Sequence, residues 1–242
     1  MNQPHLSKRE FMFAFPSVII GISILSLPAS IAEATSFSDG WIPILIAGIM
    51  ATLLALLAVH VASYFPGKPF LEYAPTLVTK PIAILFALVL IISHIFLAGF
   101  ITRTVAYIAQ QYLFERTPME VLALIFLLVV IYAVSGSRVG LFRLNMLFLP
   151  IILFIFIFVG IFNVNSMEIA NFFPLFKTSM MEYAIGIKEA FIAYMGFGLG
   201  IYYVFMIENP FKMTKKIVMG MSISILFYLF IFLVVLLYLI IP

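Results

Sequence analysis

Residues 15–28 read Phe15-Pro16-Ser17-Val18-Ile19-Ile20-Gly21-Ile22-Ser23-Ile24-Leu25-Ser26-Leu27-Pro28. The run carries no charge and sits inside a longer apolar stretch, Phe11 to Ala32. That stretch has the length, roughly 17 to 25 residues, that spans a bilayer as helix. A secretory signal has a shorter apolar core and a small-residue cleavage site, so the stretch is read as a retained span. Proline removes a backbone donor and glycine relaxes the chain. In lipid the freed groups need partners, and such an interruption is tolerated mainly beside a cavity or a neighbouring helix. Two readings stay open from these residues alone. One is a kinked, tightly packed helix in which Ser17, Ser23 and Ser26 bond back to the preceding turn. The other is a helix broken beside a substrate.

The rest of the chain places this helix in a membrane. Of its 242 residues 65% are hydrophobic and 10% charged, against about a quarter charged in soluble domains. The uncharged runs predict an all-α polytopic protein forming a single transmembrane domain over 1–242, with spans at about 11–34, 41–63, 81–103, 119–137, 144–162, 187–207 and 217–241. The fourth is short, although Thr117-Pro118 supplies a cap residue and a proline for the first helical position. Pro69 to Pro75 is read as a short helix lying along the interface. Asn163 to Tyr183 is the longest external loop, with Phe172-Phe173-Pro174 apolar enough to pack over the external face.

Lys and Arg are retained on the cytoplasmic side of a membrane. A cytoplasmic N-terminus puts Lys8, Arg9, Lys68, Lys80, Arg138, Arg143, Lys212, Lys215 and Lys216 there, leaving Arg116, Lys177 and Lys188 outside. Nine against three predicts that orientation. Seven spans then carry the C-terminus outside, where Pro242 follows the last helix directly, and the chain is read as truncated there. Cysteine is absent, which excludes a disulfide framework and thiolate metal sites. No metal or cofactor is implied. The net charge of +3 follows membrane orientation, so the bilayer is the expected partner and nucleic acid is not. There is no His-Glu-x-x-His, nucleophile elbow, Walker loop or paired intramembrane carboxylate, so no enzyme is expected.

The sixth span contains Ala193-Tyr194-Met195-Gly196-Phe197-Gly198-Leu199-Gly200, three glycines at alternate positions near mid-membrane. No strand precedes it, so it is not a dinucleotide loop. Close helix packing through small residues is one reading. The other pairs it with the first span: interruptions in corresponding helices of an inverted repeat mark transporter substrate sites. An offset of 176 would set Ala14-Phe15 against Ala190-Phe191, with Gly21 opposite Phe197.

The run Gly21 to Pro28, then Asp39-Gly40-Trp41, Thr102-Arg103 and Phe114-Glu115-Arg116-Thr117-Pro118, resembles the spore germination permeases. These are the B subunits of nutrient germinant receptors, in the amino acid–polyamine–organocation superfamily with its LeuT-like fold. The resemblance extends over the whole chain in order. It implies a five-helix inverted repeat of ten helices, of which seven are present here. It also implies A and C subunits as partners, a nutrient ligand, and a place in the inner spore membrane or cell membrane. Some relatives carry an acidic residue just after the central glycine of the sixth helix. Here Gly196 is followed by Phe197 and Gly198, which argues against a charge-based role at that position.

A pair of broken helices suits a zwitterion. A half-helix beginning near Ser23, in the run Gly21-Ile22-Ser23, offers unpaired N–H groups and a positive dipole end to a carboxylate. The sixth helix, ending near Met195 and Gly196, offers carbonyls to an ammonium. Leu97 on the third span, with Ile22, Met195 and Phe197, would supply an apolar side-chain pocket for a small neutral amino acid. His94, in the middle of that span, is a further polar candidate or a neutral histidine bonded to a neighbouring helix. His60 is assigned to the interface and His5 to the polar tail. Glu33, Arg103 and Glu189 fall near the outer ends of the first, third and sixth spans, where they form an external gate or snorkel separately to the headgroups. Sensing receptor, secondary transporter and structural scaffold are the three functions in view, and the interruptions argue against the scaffold.

Overall fold

The computed structural model describes residues 6–35, 38–164, 167–207 and 210–238. His5 and residues 239–242 lie outside them. The described residues form helices and no strand: α1 (Lys8–Ser23), α2 (Leu27–Ala34), α3 (Trp41–Ser63), α4 (Phe70–Leu77), α5 (Lys80–Tyr112), α6 (Met119–Val134), α7 (Arg138–Phe162), α8 (Met180–Ala193), α9 (Leu199–Tyr203) and α10 (Thr214–Tyr238), with short 3-10 turns between some of them. Among the described residues four helices are long and apolar enough to cross a membrane: α3, α5, α7 and α10, the last with the turn before it. They become five when Met180–Ala193 and Met195–Met206, bent by 49°, count as one broken span. The chain is an all-α, multi-pass membrane protein.

Two compact units divide the chain: Met1–Gly67 with Phe142–Pro242, and Lys68–Leu141. In the first, α10 packs on α1 and α3, and α8 packs on α2 and α3. The neighbours of four glycines give the directions. A Cβ on Gly220 of α10 would lie 2.5 Å from the Met12 carbonyl oxygen of α1. That oxygen is available because Pro16, four residues on, has no N–H to give it, and glycine lets the second backbone close on it. Further along, Tyr228 of α10 meets Ile19, so α1 and α10 run parallel. Gly186 faces Thr35 and Pro43, Gly48 faces Tyr194 and Ile225, and Gly200 faces Val59. The broken span of α8 and α9 therefore runs with α3 and against α1.

Both broken spans open with the same device. Ser7 caps α1, its side chain accepting from the Glu10 N–H at 3.2 Å while Glu10 accepts from the Ser7 N–H at 2.8 Å. Ser179 and Glu182 repeat this on α8 at 3.3 and 2.7 Å. Each is a capping box, which satisfies orphan donors of the first turn. The first residues of α1 and α8, Lys8 and Met180, are 172 apart; Leu27 and Leu199, which open α2 and α9, are also 172 apart; Trp41 and Thr214, which open α3 and α10, are 173 apart.

The second unit holds α4, α5 and α6. Phe70 of α4 lies 6.4 Å from Phe86 of α5, ring centroid to centroid, and Gln110 donates its side-chain N–H to the Thr117 carbonyl at 3.1 Å before α6 begins. The short helix read over 69–75 is present as α4.

Several boundaries differ from the sequence reading. α5 continues to Tyr112, so Arg103 lies within the helix and not at its end; the charge ends the apolar run, not the helix. α7 starts at Arg138, six residues before its apolar stretch, for the same reason. Pro118 takes the cap position of α6, with Met119 first in the helix.

Candidate functional site

The interruption of the first span lies at Ile24 to Ser26. Helix α1 runs through Gly21 and Ile22 to Ser23, and the Ser26 N–H bonds the Ser23 carbonyl at 3.2 Å as the turn tightens. Helix α2 then starts at Leu27 with Pro28 in its first turn. Proline favours that position because its missing N–H would have no partner there. The second half-helix therefore begins four residues later than the Ser23 start read from sequence. Its positive end is at Ser26 to Pro28.

In the broken sixth span α8 ends at Ala193, and residues Met195–Gly198 form a 3-10 turn. The Phe197 N–H bonds the Tyr194 carbonyl at 2.9 Å, the tighter spacing of that turn. An α-helix would have sent this donor to Ala193. The Ala193 carbonyl instead faces the Tyr228 hydroxyl of α10 at 3.4 Å, and the same hydroxyl donates to the Ile19 carbonyl of α1 at 2.5 Å. Tyr228 is fully buried, and its ring meets that of Tyr194, also fully buried, edge to face at 5.3 Å.

Gly196 is where the turn of the sixth span meets α1. A Cβ there would come within 2.8 Å of the Ile19 side chain and 3.0 Å of the Val18 side chain, so only glycine lets the turn seat against α1. Of the residues read as binding groups, Ser23 is buried at the end of α1 and Gly196 is buried against it, while Gly21 and Met195 are exposed. Phe197 is half-buried, its ring 5.6 Å from Phe191. The side chain of Ile22 lies outside the described residues. Leu97, His94 and Arg103 belong to the other unit. There His94 and Arg103 are exposed, Leu97 is half-buried, and His94 Nδ1 is 2.7 Å from the Leu90 carbonyl oxygen. Glu33 is exposed on α2, and Glu189 pairs with its neighbour Lys188 at 3.5 Å.

A profile of spore germination proteins matches residues 5–242. The chain belongs to the spore germination protein family. It is 38% identical over 231 residues to spore germination protein GerLB of Bacillus cereus, covering 94% of this chain and 61% of that one. Against spore germination protein B2 of Bacillus subtilis it is 27% identical over 227 residues, covering 94% and 61%. Against spore germination protein YndE of the same species it is 24% identical over 211 residues, covering 87% and 58%. The chain thus spans about three fifths of the length of these relatives. No solved structure matches it.

Three groups of this spore germination protein escaped the functional reading of its sequence. Tyr228 sits in an uninterrupted apolar run with no local pattern to single it out. Asp39 lies in a quoted motif, Asp39-Gly40-Trp41, but its partners are more than 130 residues away. It is fully buried and accepts backbone N–H bonds from Phe176 at 2.7 Å, Lys177 at 2.8 Å and Thr178 at 3.1 Å. Burial alone would push its carboxyl up, but the Phe176, Thr178 and Lys177 donors outweigh it and hold the group below the ordinary carboxylate range. Glu10 pairs with Arg143 at 2.9 Å at the opposite end of α1.

Proposed function

We propose that the protein is the membrane subunit of a spore nutrient germinant receptor, binding a small neutral amino acid or similar nutrient between its two interrupted spans. The observation that carries this is the seating of Gly196 against Val18 and Ile19, which brings the sixth-span turn onto α1 just before the 24–26 interruption. The α2 N-terminus offers donors to a carboxylate. The carbonyl end of α8 offers acceptors to an ammonium. Gly21, Ile22, Ser23, Met195, Gly196 and Phe197 are the proposed contacts, and the apolar side chains among them favour a neutral ligand. Glu33 and Glu189 are proposed as gating charges, and His94 and Arg103 as further polar groups of the third span.

The fold proposed is the LeuT-like inverted repeat. The common spacing of 172 or 173 between the starts of α1, α2, α3 and those of α8, α9, α10 supports it, as do the matched capping boxes and the opposed directions of the two triplets. This spacing replaces the offset of 176, under which residues 194–198 would fall opposite 18–22, ahead of the interruption at 24–26. It also aligns Ile20 with Ile192 and Leu27 with Leu199. With a cytoplasmic N-terminus in the inner spore membrane, nutrient occupancy would bias a complex with A and C subunits towards germination. A secondary amino acid transporter shares the interrupted helices and differs in moving its ligand across.

Binding of radiolabelled alanine, valine, lysine and glutamate to the full-length protein tests the site. Alanine or valine is expected to bind best, and preferential binding of lysine or glutamate would overturn it. Spores lacking the full-length gene are expected to lose germination to at least one nutrient of a panel. Net uptake into proteoliposomes would select the transporter.

A further inference from the structure

Two backbone carbonyls converge on the hydroxyl of Tyr228. Its strong bond goes to Ile19, four residues before α1 ends. Its second, longer contact is to Ala193, the last residue of α8. The first acceptor lies on the approach to one interruption, and the second is a carbonyl that the other interruption has released from helical bonding. Tyr228 itself is one turn past Ser224, inside an unbroken helix that is buried along this face. One donor therefore reaches two backbones, one turn before the end of α1 and at the last residue of α8.

We infer that Tyr228 is a positioning residue that couples the two interruptions, so that the segment around 19–26 and the segment around 193–198 open together and not separately. The hydroxyl has one proton for two acceptors, and an Ala193 carbonyl that loses it is left without a bond in an apolar interior, which is costly. Displacing the α8 end by a fraction of an ångström weakens the longer contact, and rotating Tyr228 to follow it removes the donor from Ile19. Tyr194 supplies an internal comparison. Its ring packs on that of Tyr228 and is equally buried, yet among the described residues its hydroxyl has no hydrogen-bond partner. The two tyrosines share an environment and differ in whether the hydroxyl bridges helices.

The consequence for nutrient response rests on the reading of the site given above, but the coupling can be measured without any nutrient. Hydrogen–deuterium exchange on the full-length protein in nanodiscs reads local opening segment by segment. Tyr228→Phe keeps the ring and removes the donor. It is expected to accelerate exchange about three- to tenfold, as loss of one net hydrogen bond predicts, in peptides covering both 17–26 and 191–199, with α5 peptides unchanged. Tyr194→Phe is expected to leave both segments unchanged. Acceleration in one segment alone, in neither, or equally in both variants overturns the coupling. Should Tyr228→Phe fail to fold, the wild-type protein decides: the protection of the two segments must fall in parallel as temperature rises, and divergent temperature dependence overturns the proposal. A protein that shows coupled exchange but binds no amino acid would sink the nutrient site and leave the coupling standing.

Discussion

The carboxylate of Asp39 lies 2.7 Å from the backbone nitrogen of Phe176, 137 residues further along the chain, and the next two backbone N–H groups also donate to it. Ser38 adds its hydroxyl to the Phe172 carbonyl at 2.6 Å. The segment ahead of α8 is therefore pinned to the turn between α2 and α3 by a single fully buried charge. The Glu168 N–H bonds the Leu237 carbonyl at 3.0 Å, which ties the same segment to the end of α10.

Asp39→Asn should loosen this segment. The amide presents one acceptor and one donor to three N–H groups, and hydrogen bonds to a charged group are worth about 1.5–3 kcal/mol. A loss of about 2 kcal/mol is expected, seen as faster proteolysis at 172–179 in detergent-solubilised protein. Cleavage at the wild-type rate would mean that the bonds contribute little.

The pH dependence of the same segment has a defined sign. The folded-state value of Asp39 lies below the ordinary 3.8, so its contribution is fully present above about pH 3.8 and is lost as pH falls through the depressed value. Protease resistance of 172–179 should stay flat from pH 7 to pH 5 and decline below about pH 4. In Asp39→Asn that step should be missing.

At the other end of α1, Glu10 and Arg143 should not be equivalent. Arg143 is 67% exposed and the Glu10 side chain only 11%. Solvent screening limits the ion pair itself to about 0.5 kcal/mol. Glu10 also completes the capping box with Ser7, worth about 1 kcal/mol. Glu10→Ala should therefore lower thermal stability more than Arg143→Ala, measured by the fluorescence of Trp41, the chain's one tryptophan. Equal losses would mean that the cap is not stabilising.

Glycine substitutions should separate contact from flexibility. Gly220→Ala places a methyl group 2.5 Å from the Met12 carbonyl oxygen, and overpacking of this kind costs about 1–3 kcal/mol. Nothing lies within 4 Å of a Cβ on Gly21, and that residue is helical. Gly21→Ala should be neutral or stabilising by up to roughly 1 kcal/mol. A thermal shift assay on both proteins checks the order, and a larger loss in Gly21→Ala would reverse it.

Helix α3 was legible to the residue, Trp41 to Ser63, because an apolar run there coincides with a helix bounded by Asp39-Gly40 and by Phe65-Pro66. Hydropathy reports what faces lipid, so it could not follow α5 beyond Arg103 into Ala106, Gln110 and Gln111, which extend a helix readily in a polar setting. The existence of two interruptions was legible from proline and glycine. Their placement was not, because Gly21 costs a helix only about 1 kcal/mol, while Pro28 fits a helix start and so fixes the break ahead of itself. The repeated Ser-x-x-Glu at Ser7 and Ser179 was present in the sequence and would have given the 172-residue spacing. The bonds of Asp39 and Tyr228 depend on chain segments far away, which no local pattern records.

Helix α10 is fastened to α1 twice, by the close approach of Gly220 to Met12 and by the bond from Tyr228 to Ile19. Two rivets along one beam remove its freedom to swivel. The lower part of α1 and α10 must then travel as one lever, with its fulcrum at residues 24–26, and any tilt of α2 against the rest of the first span is confined to those three residues.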